Sequence, residues 1–441
     1  MEKISIKTLI SFLLLFFILG GCSPNNIQVN DQSVTSEVPN NGEEAFDENV
    51  TQDIVSILDY NLTGTNFRIM LLGSDEQPYQ DAFRSIHRGV EDAISFFNEA
   101  GGVFGANIIL DVQSIDLADE DYIIQLLEIM FAEDPHIVLM AIPVDEKLYE
   151  KLNAQSIPVL YFGVGGVRLP EKSAGRDNLF WLTPLPDEQM AFVFELLRDN
   201  WKKISPSPAF PEMIGAYLTW EGRLGSTAYT DELDAYFSDR AFQLAVQDTF
   251  AVSPNASVTN ALINSLTSNV GVIYTDTFSF GPATIANDLT SLGIKDFFVL
   301  SGSVWCCDNL DSYLYAPPFE GDIYVTRSIV WWSEESNPAI DLAKDIAAYN
   351  KRQDRDLSFG YLLGLGVVDI ITEVLKLTVK EEKSGDFRAK SVYPMGGLFE
   401  VDYTNRNRSP NHLRLWHYDH QNGWQVIGEI EKVPALESAG D

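Results

Sequence analysis

The chain has 441 residues, 45% of them apolar, enough for two domains of ordinary size with a substantial core. Asp plus Glu number 64 against 30 Lys plus Arg, a formal net charge of -34. A surface this acidic repels phosphate backbones and argues against a general nucleic-acid binder.

The three cysteines, Cys22, Cys306 and Cys307, cannot supply paired C-x-x-C zinc ligands, and the five histidines include no H-E-x-x-H pair. Neither metal nor cofactor is expected.

Lys3 and Lys7 precede an apolar run over 9–19. About a dozen apolar residues fall short of the roughly 20 that span a bilayer. They fit the core of a signal peptide, with an uncleaved anchor helix as the alternative. Leu19-Gly20-Gly21-Cys22 follows and resembles a bacterial lipobox, small residues ahead of a thiol that takes lipid. Residues 1–21 are therefore read as a signal peptide and 22–62 as a polar tether lipidated at Cys22, with a short helix expected over 53–58. The rest of the chain is expected outside the cytoplasm, on a lipid anchor at the cell membrane.

From residue 67, strand and helix alternate. Strands are expected at 67–72 (FRIMLL), 108–112, 136–141 (HIVLMA) and 157–162 (IPVLYF), with helices at 83–97, 122–131 and 146–153 between them. Short apolar runs of this kind read as buried parallel strands. Apolar spacings of three and four over 83–97 place one face of that helix inward, and Ala100-Gly101-Gly102 ends it. The rhythm restarts with a helix at 187–201. Strands follow at 213–219, 242–249, 270–275, 296–300 and 322–326, with helices at 227–237, 258–266 and 283–292. Two longer helices, 338–349 and 359–376, come next. A hairpin-like tail of 397–403, 413–418 and 424–427 closes the chain, turning at Asn422-Gly423. The βαβα rhythm implies an α/β protein with parallel sheets.

Several segments together resemble a known family. Phe97-Asn98-Glu99-Ala100-Gly101-Gly102-Val103-Phe104-Gly105 is close to its N-x-A-G-G-[IV]-x-G segment. Ile157-Pro158-Val159-Leu160, then Asn178-Leu179-Phe180-Trp181 with Pro184, Asp187 and Gln189, match its strand opening and its crossing segment. Gly360-Tyr361 before a long apolar helix and the strand pair ending at Asn422-Gly423 match its C-terminal part. The chain is similar, over about 66–428, to the type I periplasmic binding proteins, in particular the branched-chain amino-acid branch of the ABC-transporter solute-binding lipoproteins. The resemblance implies two Rossmann-like lobes with parallel sheets and a hinge crossed three times. The first lobe would hold 65–184 plus 327–392, and the second 185–326 plus 393–430. It also implies a ligand between the lobes, hinge closure around it, and a membrane permease that reads the closed form.

Loops after the expected strands supply candidate ligand-binding residues: Ser74, Ala141, Asp145, Gly163, Gly165, Trp220, Asp276, Ser303 and Trp305, with Tyr161 and Tyr274 at strand ends. The family's paired hydroxyls after the third strand are missing; Ile142-Pro143-Val144-Asp145 stands there. Ser301-Gly302-Ser303 occupies the place of its ammonium-binding acid, for which Asp276 or Glu221 are substitutes. Gly163-Val164-Gly165-Gly166 reads either as an anion-binding nest or as a tight turn. Arg223 reads as a ligand contact or a surface ion pair. Cys306 and Cys307 are either a vicinal disulfide or two buried thiols. Asp116 to Asp121 lacks the Gly and closing Glu of a calcium loop and reads as a solvated turn.

Capture of a small polar solute, an amino acid or related compound, for an ABC importer is the leading expectation. A sensor lipoprotein reporting to a separate membrane receptor is the alternative. The last expected strand ends about a dozen residues before the C-terminus, with no signalling module after it, which favours transport. An enzyme built on Asp145 and Asp276 finds no support in spacing, and no Ser/His/Asp set or phosphate loop is apparent.

Overall fold

The computed structural model describes residues 60–436 with interruptions, the longest being 166–177, 205–212, 222–228 and 382–390. The expected signal peptide, tether, short helix at 53–58 and Cys22 lie outside the described residues, as do Gly166 and Arg223.

The first sheet is built by β1 (Asn66–Gly73), β2 (Asn107–Ser114), β3 (Ile137–Met140), β4 (Val159–Tyr161) and β5 (Leu179–Trp181). Its order is β2-β1-β3-β4-β5 and every pair is parallel. β3, β4 and β5 are buried throughout, as continuous apolar runs between helical layers must be. Helices α1 (Gln80–Glu99), α2 (Glu120–Ala132) and α3 (Glu146–Asn153) connect the strands. α1 buries Phe83, Ile86, Val90, Ala93 and Ile94 along one stripe. Gly101 and Gly102 then adopt positive φ, and Gly102 N donates to Phe97 O at 2.8 Å. Asn98 fastens this corner: its amide donates to Ile108 O and accepts from Ile108 N, both at 2.8 Å.

The second sheet takes α4 (Pro186–Ile204), β6 (Met213–Trp220), α5 (Asp231–Asp239), β7 (Phe242–Phe250), α6 (Thr259–Thr267), β8 (Val272–Thr275), α7 (Gly281–Ser291), β9 (Val299–Gly302), α8 (Leu310–Tyr313) and β10 (Ile323–Arg327). Two long helices, α9 (Pro338–Tyr349) and α10 (Phe359–Glu381), pack back on α1. A two-residue pair, β11 (Ser391–Val392) with β12 (Val401–Asp402), follows. β13 (His412–Asp419) and β14 (Gly423–Lys432) form a hairpin that completes the second sheet. The order is β14-β13-β10-β9-β8-β6-β7, parallel from β7 to β10 and antiparallel beyond.

Two expectations change. Residues 179–181, read as a crossing segment, are a fifth strand of the first sheet before the chain leaves it. The stretch 397–403 does not join the terminal hairpin. Gly396 and Gly397 hold positive φ, Asp369 accepts from Met395 N, and Val330 N donates to Leu398 O. These contacts tie the stretch to α10 and to the loop at 330, leaving only Val401–Asp402 extended.

α10 reaches α1 closely enough for backbones to touch. A Cβ on Gly364 would lie 2.6 Å from Ile86 O, and one on Gly89 would collide with Tyr361 O. Beside this contact, buried Asp92 accepts from Arg352 at 2.6 and 2.7 Å and from Tyr361 OH at 2.7 Å.

Candidate functional site

Ligands of open parallel sheets collect beyond the carboxyl ends of the strands. In the first sheet these ends are closely packed. Ser74 is buried and donates to Ile115 O at 2.8 Å. Ala141, also buried, is tied by its N–H to Leu72 O. Asp145 is the N-cap of α3, accepting from Leu148 N at 2.8 Å. Tyr161 is fully buried, donates to Val164 O at 3.1 Å and lies edge-on to Trp181. Gly163 and Gly165 have φ of 72° and 65°. A Cβ at Gly163 would strike Thr183 Oγ1, and one at Gly165 would lie 2.5 Å from Tyr79 OH. Both positions therefore need glycine for conformation and for space.

In the second sheet, register aligns Tyr217, Tyr274 and Ser301 side by side. Alternation puts Thr219, Asp276 and Ser303 on the same face, two residues nearer the strand ends. Tyr217 OH donates to Asp276 Oδ2 at 2.6 Å. Burial first, and then the charge of Asp276, pushes the phenols of Tyr217 and Tyr274 well up, so both remain protonated donors. Among the described residues, Thr183 Oγ1, Thr219 Oγ1, Trp220 Nε1, Tyr274 OH and Ser301 Oγ are buried without a hydrogen-bond partner. Such an atom costs about 1–3 kcal/mol unless a solute or ordered water satisfies it.

The two halves meet across this region. Tyr79 packs edge-on to Phe278 with centroids 5.1 Å apart, and Phe278 to Trp220 at 4.9 Å. Trp305 Nε1 donates to Phe162 O at 3.0 Å. On the α1 side, Asp81 Oδ2 accepts from Tyr313 OH at 3.0 Å and from Ser279 Oγ at 3.4 Å. The loop bearing Trp305 is fixed from below. Val304 N donates to Gln189 Oε1, and Arg327, the last residue of β10, donates to Val304 O and Cys306 O. Arg327 Nη2 meets Asp308 Oδ1 at 2.9 Å, and Asp308 Oδ2 accepts from Phe359 N at the start of α10. Cys306 and Cys307, both buried, are joined by a disulfide. Gly302 is required beneath them, since a Cβ there would strike Cys306 Sγ.

A cavity of about 380 Å³ opens between α1 and these loops, floored by Phe278 and Trp305 and walled by Asp81, Arg84, Arg88 and Tyr313. Of the residues expected from sequence, only Trp305 lines it; Ser74, Ala141, Asp145, Tyr161, Gly163 and Gly165 lie at or beyond the strand ends of the first sheet, and Trp220, Tyr274, Asp276 and Ser303 at or beyond those of the second. Glu221 is exposed. Asp81, Ser279, Tyr313 and the Arg327–Asp308 pair were not legible as site residues. The one signal for them is a lone arginine closing the apolar strand Ile323–Arg327.

No family profile and no curated protein sequence matches the chain. Solved structures do match in shape. A branched-chain amino-acid ABC transporter structure from Thermus thermophilus with bound valine superposes with a TM-score of 0.65 at 16% identity, covering 85% of this chain and 98% of that one. The fold is that of the type I periplasmic binding proteins. Within this fold, a fatty-acid ABC transporter substrate-binding protein from Thermomonospora curvata gives 0.67 at 13% identity, covering 85% and 96%. A benzoate complex of an R. palustris solute-binding protein gives 0.64 at 13%, covering 85% and 98%. Among the described residues, no helix of this periplasmic-binding-protein fold is long and apolar enough to cross a membrane.

Proposed function

We propose that this chain is an extracytoplasmic solute-binding lipoprotein. It captures a small polar solute between its lobes and hands it to an ABC-type importer. The observation that carries the reading is the set of buried, partnerless polar atoms at strand ends: Thr219, Trp220, Tyr274 and Ser301 on the second sheet and Thr183 on the first. They lie where two halves of a hinged fold meet, beside an interlobe cavity. The fold likeness to binding proteins for valine, fatty acid and benzoate supports the general role. Ser74, Ala141, Asp145, Tyr161, Gly163 and Gly165 would shape the first-lobe wall. Trp220, Tyr274, Asp276, Ser303 and Trp305 would shape the second. Lobes 65–184 plus 327–392 and 185–326 plus 393–430 would rotate about the three crossings. Cys22 would carry the lipid that holds the protein at the membrane.

The test is a thermal-shift screen of protein stripped of ligand by unfolding and refolding. A solute at about 100 times its dissociation constant stabilises by about 2.7 kcal/mol. A well-folded sample that responds to no solute class and never compacts would sink the reading. Separately, Cys22→Ala should release the protein from the membrane fraction; retention there would refute the lipid anchor.

A further inference from the structure

We infer that the cavity between α1 and the second lobe selects a neutral, hydroxyl-rich solute, a sugar or cyclic polyol, over an amino acid or a carboxylate. This rests on the solute-binding reading and names its substrate class.

Around the cavity the arginines, Asp356 and Asp308 are held in ion pairs, and Asp81 is held by hydroxyls alone. Arg88 Nη1 meets Asp356 Oδ1 at 2.6 Å, and Arg84 Nε meets Asp75 Oδ1 at 3.0 Å. Asp308 is held by Arg327 and by the Phe359 N–H. Asp81 receives the hydroxyls of Tyr313 and Ser279. A carboxylate placed here would face Asp81 and Asp356, and an ammonium would face Arg84 and Arg88. Either ion sets like charges together, or breaks a pair already made, in a half-enclosed space. A neutral solute does neither.

The remaining wall is rich in hydroxyls. Ser85, Ser279, Ser312, Tyr313 and Ser358 all line the cavity. Ser85 Oγ donates to Ala82 O, and Ser358 Oγ accepts from Tyr361 N, so each retains hydrogen-bonding capacity. Carboxylate and guanidinium groups already in pairs keep further lone pairs and N–H bonds, suited to neighbouring hydroxyls of one ring. The floor is apolar: Phe278 and Trp305, both nearly fully buried, with Ala82 between the walls. An aromatic floor under a polar rim matches a ring with a C–H face and a hydroxyl edge. The volume, about 380 Å³, lies within the range of small-molecule sites.

The experiment is calorimetric titration of the refolded whole chain with D-glucose, D-ribose and myo-inositol, and with L-valine and benzoate for comparison. The expected result is saturable binding of one polyol, unchanged between about 0.05 and 0.5 M salt because no ion is captured. Asp81→Asn should weaken it about tenfold, and Ser312→Ala, at an exposed rim position outside the lobe contacts, about threefold. Saturation by valine or benzoate without a polyol signal overturns the substrate class and leaves the binding function standing. Polyol binding abolished by Tyr274→Phe but untouched in both cavity variants puts the occupant elsewhere and overturns the site. No response to any of the five probes overturns the inference; the broader screen and the compaction measurement then decide the binding reading independently.

Discussion

Arg327 is among the largest fully buried side chains, and its only acidic contact among the described residues is Asp308. Burial pushes the Asp308 carboxyl up and the Arg327 guanidinium down, so desolvation outweighs their mutual attraction. Such a pair adds little net stability, yet removing one member strands the other. Arg327→Met should destabilise by about 3–5 kcal/mol in urea unfolding, and Arg327→Met with Asp308→Asn should recover part of that. A double variant that loses the sum of the two single losses would show the two groups are uncoupled. Asp369 behaves differently. Burial lifts its carboxyl from 3.8 to about 6, against the opposing Met395 N–H; Glu373 also raises it and Lys376 lowers it. The folded state therefore holds this proton more tightly than the unfolded chain. Its contribution is greatest below about pH 4 and falls by about 3 kcal/mol as pH rises through 6. Asp369→Asn keeps an acceptor for Met395 N and stays neutral. Its stability advantage over the parent should open between pH 4 and pH 6 and then level off; a pH-independent difference would contradict this. Asp369 left no signal in the sequence, and Arg327 only its place at the end of an apolar strand. An arginine ending an apolar strand and an aspartate inside an apolar helix become distinctive only when their neighbours are known.

At the scale of elements, the α1–α10 contact depends on Gly89 and Gly364, where any side chain meets backbone of the opposite helix. Backbone cannot step aside as a flexible side chain can. Gly89→Ala should cost at least about 1–3 kcal/mol, seen as a lower urea midpoint with an unchanged slope. A neutral result would mean the helices separate freely. The helices themselves were legible, because apolar spacing of three and four persists through 83–97 and along 359–376. Their glycine contact was not: a glycine in a helical pattern reads only as a weak point. β5 was missed for a related reason. Three apolar residues, Leu179–Trp181, are too few to show a period, and β4 beside them fixes their conformation. The corner at Asn98 shows the opposite case. The resemblance marked that segment, and the double bond to Ile108 gives its physical reason.

For the whole molecule, alternation of strand and helix specified parallel sheets, since crossover helices leave few other arrangements, and the resemblance divided them between two lobes. Strand order within each sheet was not legible, because it depends on which helix face each sheet accepts. The lobe-to-lobe contacts were likewise hidden. Trp305 and Phe162 are 143 positions apart, and Tyr313 and Asp81 are 232 apart. These contacts join the halves directly, so they should favour the closed shape. Trp305→Phe combined with Asp81→Ala should enlarge the radius of gyration of the solute-free protein in X-ray scattering. An unchanged radius would place the closing force elsewhere. At the rim of the second sheet, β14 exposes Val426 and Ile430 along an edge that pairs with nothing beyond it among the described residues. Its pairing with β13 slips between Leu413 and Leu415, where Gly428 takes a φ of 82°, and Glu429, Glu431 and Lys432 are exposed nearby. The slip breaks the regular ladder that another copy would need in order to zip on, and the charges repel it. Straightening that kink, by deleting Gly428 together with Glu429 and replacing Glu431, should make the protein fibrillise on storage.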